Sequence, residues 1–133
     1  MRNIISASLM LSSLLPLSLT ACASTATGSE AAIADGTDFD MQVGQTVTLA
    51  DSSRLRYLRV VNDSRCPPDV QCVWAGDAIV AFEWSPAGET AQGFELHTGL
   101  EPRSHAIGTR QLVLKSLERG AEPDAELRVE AAP

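Results

Sequence analysis

The stretch "DSRCPPDVQCVWAGDAIVAFEWS", Asp63 to Ser85, joins a cysteine-bracketed loop to the most apolar run outside the N-terminus. In its second half Ala78, Val80, Phe82 and Trp84 fall on one face and Ile79 and Ala81 on the other. A two-residue period of β-branched and aromatic residues predicts a strand, and apolar residues on both faces predict a central one. Its first half places Cys66 and Cys72 around five residues, two of them proline.

Working outward, the same signal recurs in short runs separated by turn residues. "DFDMQV" puts Phe39, Met41 and Val43 on one side, and "QTVTLA" is rich in β-branched residues after Gly44. "RLRYLRVV", Arg54 to Val61, alternates and then slips phase at Tyr57 and Leu58, which predicts a bulge or burial on both faces. "SPAGET" reads as a turn, because proline and glycine punctuate it. "GFELHT" follows, with Phe94 and Leu96 inward and Glu95 and His97 outward. "TRQLVLKSL" puts Leu112 and Leu114 on one face and Val113, Lys115 and Leu117 on the other, and "AELRVEA" reads as a closing edge strand. Residues 111–119 also admit a helix ending at Gly120. About seven short strands predict an all-β domain over residues 39–131, a small antiparallel sandwich or partly closed barrel.

The N-terminus carries a different message. After Arg2, an uncharged run from Ile4 to Ala21 contains five serines and Pro16, the pattern of a secretory signal over residues 1–21 and not of a stop-transfer helix. Its end, "LTAC" at Leu19 to Cys22, resembles the bacterial lipobox. That resemblance implies cleavage before Cys22, with diacylglycerol on its sulfur and a fatty acid on its amine. Two or three acyl chains hold a protein at a bilayer far longer than one does. Ala23 and Ser24 follow without an aspartate, which in lipoproteins of enteric-like Gram-negative bacteria implies the outer membrane, facing the periplasm. Residues 22–38, small, polar and glycine-containing, read as a flexible tether.

Assigning Cys22 to lipid leaves Cys66 and Cys72, an even number in an oxidising compartment, and predicts a disulfide. Zinc sites from cysteine pairs have two to four residues between ligands and usually a second pair, and redox motifs have two. The formal charge of −7, with Lys115 the sole lysine, argues against nucleic acid or an anionic lipid surface as the main partner.

The loop itself resembles a family of short, uncharacterised bacterial lipoproteins and exported proteins with the pattern D-S-R-C-P-x-x-V-x-C-x-W-A-G. Asp63, Ser64, Arg65, Cys66, Pro67, Val70, Cys72, Trp74, Ala75 and Gly76 carry it. The resemblance implies a compact β domain in the cell envelope and no particular reaction. In the residues themselves, Asp63 and Ser64 suit a turn start, Pro67 and Pro68 stiffen the loop, Trp74 suits a cover for the disulfide, and Gly76 suits close packing or a bulge.

Three functional classes are open. A stiff loop bearing Arg65, Asp69, Gln71 and Trp74 suits recognition of an envelope protein or small ligand, including protease-inhibitor-like binding, because a preorganised loop loses little entropy on association. His97 and His105 are candidate ligands of a zinc or copper site, although an outward His97 is more simply solvated. An enzyme is disfavoured, since neither histidine lies in a nucleophile motif and no glycine-rich phosphate loop is present; no cofactor is expected. Finally, Arg54, Arg56 and Arg59 suggest a basic stripe for lipopolysaccharide phosphates. Strict alternation puts Arg59 on the opposite face unless the phase slip realigns it, and a salt-bridged sheet face is the simpler expectation.

Overall fold

The computed structural model describes residues 31–133. The signal sequence over 1–21, Cys22 and the first part of the tether lie outside the described residues. No helix among the described residues is long and apolar enough to cross a membrane.

Among the described residues, eight strands form two four-stranded antiparallel sheets, not closed into a barrel. They are β1 (Asp38–Met41), β2 (Thr46–Thr48), β3 (Arg54–Asp63), β4 (Ala78–Ser85), β5 (Gln92–His97), β6 (Ser104–Ile107), β7 (Arg110–Leu117) and β8 (Ala125–Ala131). One sheet has the order β1-β8-β7-β6 and the other β2-β3-β4-β5. After β1 the chain crosses to the second sheet, runs through it edge to edge from β2 to β5, and returns through β6 and β7 so that β8 lies beside β1. The run at 111–119 is strand and not helix as far as Leu117.

The expected faces hold best in β4, which lies between β3 and β5 and buries Ala78, Val80, Phe82 and Trp84. These meet Met41, Leu112, Leu114, Leu127 and Val129 from the facing sheet in one core. A fully buried side chain of this size contributes about 1.5–3 kcal/mol, and that burial holds the two sheets face to face. Tyr57 adds a polar tie, its buried hydroxyl donating to the Pro123 carbonyl at 2.9 Å. Burial, with the Asp124 charge nearby, pushes its pKa up to about 12.

Three strand expectations need correction. β8 is not an edge strand, because β1 returns to pair with it, Asp38 facing Arg128 and Met41 facing Ala125. Leu117 does not share the outward face with Lys115. A register shift between Leu114 and Ser116 leaves Lys115 and Ser116 both exposed and returns Leu117 to the core. An eighth strand, β6, was not expected from its four residues. The slip at Tyr57 and Leu58 is present as a register shift between Tyr57 and Arg59.

The two ends of the sandwich differ. The chain enters at one pole, where Ile33 bridges Leu49 and the Gly36 N–H donates to the Val129 carbonyl, so the last part of the expected tether is held to the domain. Arg110 pairs there with Asp35 at 2.6 Å and also with Asp51. β8 ends at the same pole, Ala131 opposite Arg110. β3 then runs ten residues, roughly 30 Å, to the opposite pole, where the cysteine loop begins.

Candidate functional site: the cysteine-loop pole

Cys66 and Cys72 are joined by a disulfide with Cα atoms 5.9 Å apart. The loop turns at Pro68 and Asp69, where the Val70 N–H donates to the Pro67 carbonyl, and closes through the Cys66 N–H on the Ala75 carbonyl. Three chain segments then meet at its base: Asp63–Arg65, Ala75–Asp77 and His97–Leu100.

Their closeness depends on two glycines. Gly76 has φ +74°, and a Cβ there would lie 1.9 Å from the Ser64 carbonyl oxygen. A Cβ on Gly99 would lie 2.9 Å from the Gly76 carbonyl oxygen. Backbone thus packs on backbone without room for a side chain, the close-packing role anticipated for Gly76.

Asp77 is the hub of this junction and is 8% exposed. Its carboxylate accepts from the Gly99 N–H at 2.8 Å, more weakly from the Leu100 N–H at 3.3 Å, and contacts His97 Nδ1 at 2.5 Å. Burial alone would raise its pKa; the Gly99 N–H and the His97 ring outweigh burial and hold it below the usual carboxylate range. His97 is therefore not simply solvated, because the carboxylate orients its ring. The Ser64 hydroxyl is engaged with Asp77 backbone, donating to its carbonyl at 3.0 Å and accepting from its N–H at 3.2 Å. The carboxylate–imidazole pair acts here to position chain segments, and the serine beside it is spent on the same task.

Of the loop residues singled out from sequence, Arg65 faces inward. It holds Asp63 with two nitrogens at 2.6 and 2.8 Å, and donates to the carbonyls of Leu117 at 2.6 Å and Glu118 at 2.8 Å. Arg119 answers from the other side, donating to the Cys66 carbonyl at 2.8 Å. The two arginines rivet the loop to the end of β7 in the facing sheet. Arg65 is thus committed within the domain, whereas Asp69 and Gln71 stay at the surface.

Trp74 corrects its expected place. It is 81% exposed and does not sit as a lid over the disulfide. Val73 at 90%, Leu100 at 61% and Val70 at 56% join it as the most exposed large apolar residues among those described. Between Trp74 and Leu100 opens a recess of about 390 Å³, floored by Ser64, Gly76, Asp77 and Gly99. This pole therefore presents apolar surface on a base that cannot readily shift.

The two histidines are not brought into a ligand set: among the described residues no three His, Cys, Asp or Glu side chains group as a metal would need. The His97 ring is on Asp77, and the His105 ring stacks on Phe94 at 3.9 Å between centroids, where burial lowers its pKa. Sequence reasoning missed Asp77 as a hub; its one local signal is a carboxylate between a glycine and the start of the central strand. No family model matches the chain, and no curated protein or solved structure matches it.

Proposed function

We propose that this chain is a lipid-anchored binding module of the bacterial cell envelope, held through Cys22 at the outer membrane and facing the periplasm. It recognises a protein partner through the Trp74 pole and acts without chemistry of its own. The observation that carries this is Trp74, 81% exposed beside Val73 and Leu100. A tryptophan in water forfeits a large burial gain, and a monomeric domain rarely keeps such a cluster unless something covers it. The rigid base matters equally, because side chains already fixed in place lose little entropy on docking, and buried aromatic anchors dominate interface energies.

Polarity of the domain supports the assignment to a protein partner. The chain enters at one pole and the Trp74 cluster sits at the other, about 30 Å away along β3, so attachment through Cys22 leaves the cluster clear of the tether's point of entry. The recess between Trp74 and Leu100, about 390 Å³, has room for an apolar side chain of a partner.

Two measurements test the two halves. Metabolic labelling with an alkyne fatty acid should mark the full chain and not Cys22→Ser; equal labelling would overturn the anchor. A photocrosslinking residue at Val73 in intact cells should give a discrete protein adduct that Trp74→Ala reduces at least tenfold. Adducts indifferent to Trp74, or formed with lipid alone, would sink the recognition idea.

A further inference from the structure

The slip in β3 settles the arrangement of its arginines. In the antiparallel pairing with β4, Arg54 faces Ser85, Arg56 faces Glu83 and, beyond the register shift, Arg59 faces Ala81. Directly paired residues project to the same side, and Ala81, Glu83 and Ser85 share one face of β4. The shift has therefore moved Arg59 onto the face of Arg54 and Arg56, where strict alternation would have turned it inward.

All three arginines are exposed. Arg65, Arg110, Arg119 and Arg128 are each tied to a named acceptor, but among the described residues no ion pair engages these three. Two adjoining recesses follow the stripe. One of about 230 Å³ is lined by Thr46, Arg54, Arg56, Glu83 and Ser85, and one of about 340 Å³ lies around Arg59, Ala81, Gly93 and Glu95. Ala81 and Gly93 supply little side chain, so the second recess is shallow there, with Leu58 and Phe94 adding apolar surface between the Arg59 guanidinium and the Glu95 carboxylate.

We propose that this outer sheet face is a binding site for an acidic glycan, a saccharide carrying carboxylate or phosphate groups. Guanidinium forks match such oxyanions bidentately, and same-face arginines along a strand stand roughly 7 Å apart, so that successive cations can engage separate acidic groups of one chain. The carboxylate of Glu83 and the hydroxyls of Thr46 and Ser85 flank the cations on the neighbouring strands, Thr46 and Glu83 opposite Arg56 and Ser85 opposite Arg54, where they accept or share the hydroxyl hydrogens that a sugar brings. The same carboxylates decide against a bilayer. Each arginine near an anionic membrane strengthens adsorption roughly fivefold, and Glu83 and Glu95 offset about two of the three against a uniformly charged surface, whereas a sugar meets those carboxylates with the hydroxyls between its own acidic groups. The site is separate from the Trp74 pole, so either assignment stands or falls alone.

The test uses the full chain in detergent micelles, followed by amide NMR. Trigalacturonate should bind saturably, shift the amides of Thr46, Arg56 and Glu83, and weaken with added salt. Neutral maltotriose should bind at least tenfold more weakly. The Arg56→Ser, Arg59→Ser double variant should lose at least tenfold in affinity for trigalacturonate, with an unchanged thermal midpoint because both side chains are exposed. Glu83→Gln should strengthen binding of inorganic phosphate while weakening that of trigalacturonate. Absence of saturable binding by the unaltered chain, equal binding by the double variant, or preference for phosphatidylglycerol vesicles would overturn the proposal.

Discussion

At the scale of single residues, the cysteine-loop pole rests on positions that admit one side chain or none. Gly76 combines a left-handed φ of +74° with a neighbouring carbonyl that any Cβ would strike. Gly108, at φ +70°, has nothing within 4 Å of where a Cβ would stand. The pair separates conformational strain from steric conflict. Gly108→Ala should cost about 1 kcal/mol in chemical denaturation, the ordinary cost of a left-handed alanine. Gly76→Ala should cost at least about 3 kcal/mol, since Ser64 and Arg65 backbone must move and the bonds around Asp77 with them. Equal costs would mean that the three segments at this pole separate easily. Trp74 shows where residue-level reading of sequence fails. Its place depends on where the loop leans, which Arg65 and Arg119 decide by reaching carbonyls more than fifty positions away. No local pattern encodes that choice.

At the scale of elements, alternation was informative wherever a strand stayed regular. β4 could be assigned face by face because Val80, Phe82 and Trp84 keep one phase from end to end. In β3 the adjacent Tyr57 and Leu58 announced a slip, but its effect on Arg59 required the register against β4. In β7 nothing announced one: Leu112, Leu114 and Leu117 look like two faces until the shift before Ser116 brings them together. β6 is invisible for a different reason, since four residues with a single large aliphatic, Ile107, carry too little periodicity. The β7 assignment is checked by paired substitutions. Leu117→Ala should cost about 2–4 kcal/mol as a core truncation, and Lys115→Ala should stay within about 0.5 kcal/mol. Comparable small effects at both would place Leu117 outside the core.

At the scale of the whole molecule, Asp51 at one pole and Asp63 and Asp77 at the other respond to acid in one direction. The Arg65 side chain holds the Asp63 carboxyl below its ordinary range. At Asp77 and Asp51 burial acts upward, and donors outweigh it: the Gly99 N–H and His97 for one, Ser53 and Arg110 for the other. A carboxyl with a lower pKa folded than unfolded contributes stability that is complete above about pH 4 and disappears as pH falls through the folded value. Unfolding free energy should therefore decline steeply below about pH 4, after a shallower fall that begins near pH 6.5 as the unfolded chain takes up the proton that burial keeps off His105. Asp77→Asn should lower stability at pH 7 and flatten that decline, as measured by denaturant titrations across pH; an unaltered acid limb would remove Asp77 from the set.

The fold class was readable from the sequence because turn residues and two-residue periods are local, whereas the β1–β8 pairing that makes β8 internal joins strands at opposite ends of the domain. The same pairing has a practical consequence for anyone attaching a reporter. The last strand finishes beside Arg110 and Asp35, next to the incoming chain, so a fluorescent protein or affinity handle fused after Pro133 would emerge at that end and leave the tryptophan-bearing end unobstructed.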